Sequence, residues 1–191
     1  MSVSGGMETD IMNRRSQKSR RREETDSLAF TLVEILIVVV LLGIIAAVVI
    51  PKFSNASDMA RASMLADDLR VIRTQIQIFK SQHLSVPPGY PNCNPSASPT
   101  EEAFIEQMTK ASTATGETAE PGTPGYKFGP YLREIPTNPI NGKNSVLIIG
   151  NGQSFPNSAD DTHGWIYQPS TLLFKAGCTG QDVNGKAYFD Y

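Results

Sequence analysis

The stretch from Phe30 to Pro51 limits most strongly what this chain of 191 residues can fold into. Between Ile35 and Ile50 it contains no charged residue, no side-chain amide and no proline. At a rise of about 1.5 Å per residue, a helix of this length matches a membrane hydrocarbon core about 30 Å thick. The stretch therefore predicts a helix that can span a membrane.

One carboxylate, that of Glu34, lies at the start of the apolar run. A charged side chain inside a membrane span costs about 2.5 to 3.5 kcal/mol on insertion scales. The cost is lower near a helix N-terminus, because the helix dipole and the membrane interface both favour an anion there. From this residue alone, Glu34 either lies passively among the lipid headgroups or has a function.

A motif surrounds this carboxylate. The sequence Phe-Thr-Leu-Val-Glu occupies residues 30–34, and Gly43 and Pro51 follow as the fourteenth and twenty-second residues counted from Phe30. This pattern resembles the N-terminus of type IV pilins and of the pseudopilins of type II secretion. The match is specific, because it combines a local motif with two spaced helix-modifying residues and an apolar run of sufficient length.

The resemblance implies how the N-terminus is processed and used. In that family a membrane protease, the prepilin peptidase, cuts just before the Phe and methylates the new amine. This implies cleavage between Ala29 and Phe30, followed by methylation of Phe30. Family members almost always have Gly before the cut, so Ala29 departs from the pattern. Thr31 and Glu34 are expected to act in assembly, with Glu34 pairing with the Phe30 amine of its own or a neighbouring copy.

Residues 1–29 are predicted to form a cytoplasmic leader, because positive charge just before a span holds that end in the cytoplasm. A secretory signal peptide is the alternative, but its apolar core is normally about 7 to 15 residues long. We therefore predict a leader at 1–29, an inner-membrane span at 30–51 and a globular domain at 52–191 in the periplasm or outside the cell. The basic block of the leader consists of Arg14, Arg15, Lys18, Arg20, Arg21 and Arg22.

The charge balance argues against nucleic acid as a partner. The leader holds six basic and five acidic residues, and the rest of the chain holds eleven basic and fourteen acidic residues. A mildly acidic chain lacks the basic surface that nucleic-acid binding requires. No nucleic acid is expected to bind.

Beyond Pro51 the same helix is predicted to continue. Proline cannot donate a hydrogen bond to the carbonyl of Ala47, which predicts a bend at Pro51, and Gly43 is a second helix-modifying position. Apolar residues then recur at alternating steps of four and three, which predicts one buried stripe on a water-exposed helix. The helix should have roughly 50 residues. It should end at the Val-Pro-Pro-Gly sequence of residues 86–89, because a residue that precedes proline is disfavoured in a helix. The stripe consists of Leu65, Leu69, Ile72, Ile76 and Phe79.

The rest of the chain predicts a small sheet. Residues 84–144 hold ten of the thirteen prolines, so only a short helix, Thr100–Met108 with its capping Thr, is expected there. The last third predicts three strands, and the second and third of them are expected to form an antiparallel hairpin. A small antiparallel sheet packed on the long helix gives an α+β fold, the pilin fold that the resemblance implies. The predicted strands are Ser145–Gly150, Trp165–Gln168 and Leu172–Lys175.

The cysteines and histidines leave alternatives open. Cys93 and Cys178 would face an oxidising compartment, where they form either a disulfide or two buried free thiols. His163 follows Asp160 and Asp161 in a polar loop, which is a conceivable metal site or a solvated turn. Some pseudopilins hold calcium in their C-terminal loops, but the acidic residues here do not match that pattern closely enough to name ligands. Calcium is possible, the metal is left open, and no other cofactor is expected.

The chain contains no common catalytic motif, since Gly-x-Ser-x-Gly, Cys-x-x-Cys and His-Glu-x-x-His are all missing. We predict a structural subunit of a type II secretion pseudopilus or type IV pilus-like filament, and not an enzyme. The implied partners are other copies, other pilin-like subunits, the prepilin peptidase and an inner-membrane assembly platform with its cytoplasmic ATPase. The alternative is a single-pass anchor that carries a periplasmic binding or enzymatic domain.

Overall fold

The computed structural model describes residues 30–191, so the predicted leader lies outside the described residues. Contacts divide the chain into two units, Met1–Ile44 and Ile45–Tyr191. In the first unit the described residues are almost entirely helical, and the second unit contains both β-sheets and the hydrophobic core.

The first helix, α1, spans Leu32–Gln82 and has 51 residues, which confirms the prediction of one helix of that length. It continues through both Gly43 and Pro51. The predicted bend at these two positions stays a prediction, because a helix can bend and still be continuous in its hydrogen bonding. Helix α1 ends just before Leu84 and Ser85, where φ turns positive, at 54° and 62°.

The core of the second unit forms on the predicted stripe of α1. Every one of its five apolar side chains is at most 1% exposed. Burial of a side chain of this size stabilises a fold by about 1.5 to 3 kcal/mol, so the stripe is a main source of stability. It packs in one cluster with Phe104, Trp165, Tyr167 and Phe174.

A second helix, α2, spans Glu101–Thr109, close to the predicted range. Thr100 caps it, since its side-chain oxygen accepts a hydrogen bond from the backbone N–H of Ala103 at 3.2 Å. Phe104 and Met108 lie on the buried face of α2. A 3₁₀ turn, Pro91–Cys93, precedes this helix.

Five short strands follow. Strand β1, Ala111–Ser112, pairs antiparallel with β2, Thr118–Ala119. The larger sheet consists of β3, Val146–Ile148, β4, Trp165–Gln168, and β5, Leu173–Ala176, with β4 in the centre. A second 3₁₀ turn, Tyr188–Asp190, contacts β5 near the end of the chain.

The larger sheet is mixed, which corrects one detail of the expected antiparallel arrangement. Strands β4 and β5 form the predicted antiparallel hairpin, with Trp165 opposite Ala176. Strand β3 instead runs parallel to β4, with Val146 opposite Trp165. Parallel neighbours need a crossover of about a dozen residues or more, and residues 149–164 supply it. The predicted α+β class, with a small sheet and one long helix, is confirmed.

Candidate functional site

Thr31 and Glu34 form a reciprocal cap at the start of α1. The backbone N–H of Glu34 donates to Thr31 Oγ1 at 3.1 Å, and the backbone N–H of Thr31 donates to Glu34 Oε2 at 2.9 Å. The Thr31 hydroxyl also lies 2.9 Å from the same carboxylate oxygen. This is a capping box, in which each side chain satisfies a backbone donor that the first turn leaves free. The cap fixes the Glu34 carboxylate at the N-terminal end of the helix.

The helix surface that follows this cap is apolar and exposed. An 18-residue window in α1 has a mean hydropathy of 3.3, and none of it is buried. This one helix is long and apolar enough to cross a membrane, judged by its length and composition. Water is an unfavourable solvent for so large an apolar surface, so lipid or other protein chains are needed to cover it.

The predicted processing residues are described only in part. Phe30 directly precedes the cap and is 74% exposed. Ala29 lies outside the described residues, so the predicted cleavage between Ala29 and Phe30 and the methylation of Phe30 stay predictions.

The two cysteines are buried free thiols, which is the second of the two alternatives above. A disulfide between Cys93 and Cys178 is therefore not part of this structure. Cys93 ends a 3₁₀ turn beside Gly116, and Cys178 follows β5 near Asn138, so the two thiols have different surroundings. Burial raises the pKa of Cys93 to about 11, and such a thiol is inert at neutral pH.

The loop around His163 does not offer a metal a free set of ligands. Thr162 donates to Asp160 Oδ1 from its backbone N–H at 3.0 Å and from its hydroxyl at 2.6 Å. Both carboxylate oxygens of Asp161 accept from Thr179. His163 Nδ1 contacts the Thr162 hydroxyl at 2.8 Å. Within residues 30–191, no three His, Cys, Asp or Glu side chains converge as a metal site requires. Calcium takes about six to eight oxygen ligands, and these residues do not fit that requirement.

Comparison with known proteins shows which proteins this chain is similar to. The chain is 27% identical over 146 residues to the type II secretion system core protein G of Klebsiella pneumoniae, an alignment that covers 71% of this chain and 92% of that protein. It is 27% identical over 131 residues to the protein of the same name from Pseudomonas aeruginosa, covering 69% of this chain and 78% of that protein. The chain is similar to pseudopilins of type II secretion systems. No protein-family model and no solved structure matches it.

The similarity to the Vibrio cholerae core protein G is lower, at 24% identity over 110 residues, and covers 58% of this chain and 63% of that protein. The resemblance to pseudopilins inferred from the N-terminal motif is thus confirmed by relatives that match well beyond the motif.

Two structural features of this protein were not predicted from the sequence. The Thr31–Glu34 cap has a recognisable signal, a Thr followed three residues later by Glu before an apolar run. The second feature is Lys143, whose ammonium group donates to the main-chain oxygens of Asp161 and Thr162. These partners lie 18 and 19 residues away in sequence, and no local pattern announces such a contact.

Proposed function

We propose that this protein is a structural, non-enzymatic subunit of a type II secretion pseudopilus. The observation that carries the proposal is the exposed apolar surface of α1, which begins directly after the Thr31–Glu34 cap. Before assembly, lipid covers this surface and the subunit is anchored in the membrane. In the filament, the same surfaces of other copies cover it.

A helical filament follows from the geometry of a repeated contact. When one surface of a subunit binds a different surface of the next copy, and the rotation does not close a ring, the assembly grows as an open helix. Related pilin-like subunits join the filament through the same apolar helix.

Glu34 supplies the specific contact in this proposal. Thr31 occupies Oε2 of the carboxylate, and the described residues provide no hydrogen-bond partner for Oε1. After leader removal, the Phe30 amine is a cation at the end of an apolar segment. An unpaired charge in that environment is costly, so an incoming subunit is favoured when its Glu34 meets the amine of the subunit already placed.

The proposal includes processing and topology. The prepilin peptidase removes residues 1–29 and methylates Phe30, and the leader end of the span faces the cytoplasm. The span lies in the inner membrane, and the domain at 52–191 lies in the periplasm. An inner-membrane platform with a cytoplasmic ATPase powers filament growth.

Mass spectrometry of the mature N-terminus in native membranes tests this function. We expect a chain that begins at methylated Phe30. A control variant, Ala29→Leu, places a larger side chain before the cut and should retain the leader. A wild-type chain that still begins at Met1 would contradict the proposal and favour a simple anchor for a periplasmic domain.

A further inference from the structure

Three loops of the globular domain meet at one end of the larger sheet. They are residues 138–143, 160–163 and 177–179, which we call the loop cluster. One link is the carboxylate of Asp161, which accepts from the backbone N–H of Thr179 at 3.0 Å and from its hydroxyl. The hydrogen bonds from Thr179 hold the pKa of Asp161 below its usual value, so this carboxylate is an anion at neutral pH.

A second link comes from the other side of the cluster. The Lys143 ammonium donates to the main-chain oxygen of Asp161 and lies 3.4 Å from that of Thr162. Asn141 adds a bond from its Nδ2 to the main-chain oxygen of His163 at 2.9 Å. Three successive main-chain oxygens of the 160–163 loop thus receive donors from the 138–143 loop.

Lys143 is held in position by its own turn. Its backbone N–H donates to Asn141 Oδ1 at 3.1 Å, and its backbone oxygen accepts from the N–H of Asn138 at 2.9 Å. The loops also approach each other closely, because a Cβ added at Gly164 would collide with the backbone oxygen of Lys143. The main chain of Lys143 is therefore fixed, and its ammonium group needs to span only a short distance to the 160–163 loop.

Main-chain oxygens and a nearby carboxylate are the groups that a bound cation would use to join such loops. Here the Lys143 ammonium and the Asn141 amide occupy the oxygens, and Thr179 occupies the carboxylate. We propose that the Lys143 ammonium serves as the cation of the loop cluster, so that the cluster keeps its arrangement without a divalent metal ion.

The full chain in detergent micelles allows a direct test, with Lys143→Met as the main variant. This change removes the charge and keeps an unbranched apolar stem. Lys127→Met is the matched control, because Lys127 is exposed and the described residues give it no salt bridge. The readouts are Tm in EDTA and in millimolar calcium chloride, and hydrogen exchange at the Thr179 amide.

We expect the wild-type Tm to be the same in EDTA and in calcium. The Lys143→Met variant should lose about 3 °C in both conditions and lose protection at the Thr179 amide, whereas Lys127→Met should match wild type. A wild-type Tm that rises in calcium overturns the proposal, and so does a Lys143→Met variant that behaves like the control. The calcium comparison on wild type stands even when the variant fails to fold.

Discussion

Arg73 in α1 donates two hydrogen bonds to the main-chain oxygen of Phe174 in β5, from Nε at 2.9 Å and from Nη2 at 2.8 Å. Nη2 also donates to the main-chain oxygen of Tyr191 at 2.8 Å. One half-buried guanidinium thus joins the long helix, the central hairpin and the end of the chain.

Replacing this guanidinium should destabilise the globular domain. Arg73→Ala leaves two partly buried carbonyl groups without their charged donor, and we expect a loss of about 2 kcal/mol in the free energy of unfolding. Arg70→Ala is the matched control, since the Arg70–Asp67 ion pair is exposed and should contribute less than about 1 kcal/mol. Urea unfolding of both variants measures the difference, and equal losses would contradict this role for Arg73.

His83 should make the stability of the domain depend on pH. The ring is fully buried, with Nδ1 2.8 Å from the Phe79 main-chain oxygen and Nε2 2.9 Å from Ser112 Oγ. A carbonyl oxygen can only accept, so Nδ1 carries the proton and Nε2 accepts from Ser112. Burial lowers the pKa of His83, although its backbone hydrogen bonds act in the opposite direction.

The sign of the pH effect follows from this lowered pKa. The unfolded chain binds a proton at His83 near pH 6.5, before the folded chain does, so stability is full above about pH 6.5 and falls as the pH decreases. One proton gives a slope of at most about 1.4 kcal/mol per pH unit. Unfolding measured from pH 7 to pH 5 should show this slope in wild type and in His163→Asn, but not in His83→Gln. A slope that persists in His83→Gln would assign it to other groups.

Tyr167 offers a position where a smaller residue should not weaken the fold. Its hydroxyl is buried and has no hydrogen-bonding partner among the described protein atoms. Tyr167→Phe removes this unsatisfied group and should leave stability unchanged or raise it. Tyr90→Phe is the control, because the Tyr90 hydroxyl donates to Asn151 Oδ1 at 2.6 Å and its removal should cost about 1 kcal/mol. A loss of stability in Tyr167→Phe as large as that in the control would show that its hydroxyl is satisfied.

The parts of the fold that were predictable are those with a local signal. The stripe on α1 and the cap at Thr100 each follow from spacing within a few residues. The hairpin of β4 and β5 follows from two apolar runs at turn spacing.

The parts that were not predictable depend on contacts between distant residues. The direction of β3 is set by where the crossover at 149–164 returns the chain, and the apolar run itself has no direction. Strands β1 and β2 have two residues each, too few for a periodic pattern. Lys143 is exposed and has the sequence context of any surface lysine.

A chain that begins at Ser54 should be soluble and monomeric. Among the described residues, most large apolar side chains that are exposed lie between Phe30 and Phe53, and the buried stripe lies beyond them. Removal of the apolar segment therefore removes the main surface that needs lipid or protein cover. Light scattering at micromolar concentration measures the mass, and stable oligomers would show that the globular domain has a strong contact surface of its own.

The role of Glu34 in assembly can be separated from its role in the helix cap. Glu34→Gln removes the charge but keeps a side chain that completes a capping box. Glu34→Leu removes both the charge and the cap, and it makes the span more apolar. Both variants should reach the membrane at normal levels and lose their leader normally, because neither change opposes insertion.

The most direct test of the account is filament incorporation of Glu34→Gln in cells that have the assembly system and lack the native copy. Glu102→Leu, which removes an exposed carboxylate in α2, controls for a general loss of negative charge. We expect Glu34→Gln to be processed but not incorporated into filaments, and Glu102→Leu to be incorporated like wild type. Wild-type filament yield from Glu34→Gln would contradict the pairing of Glu34 with the Phe30 amine, and would leave its carboxylate with the capping role alone.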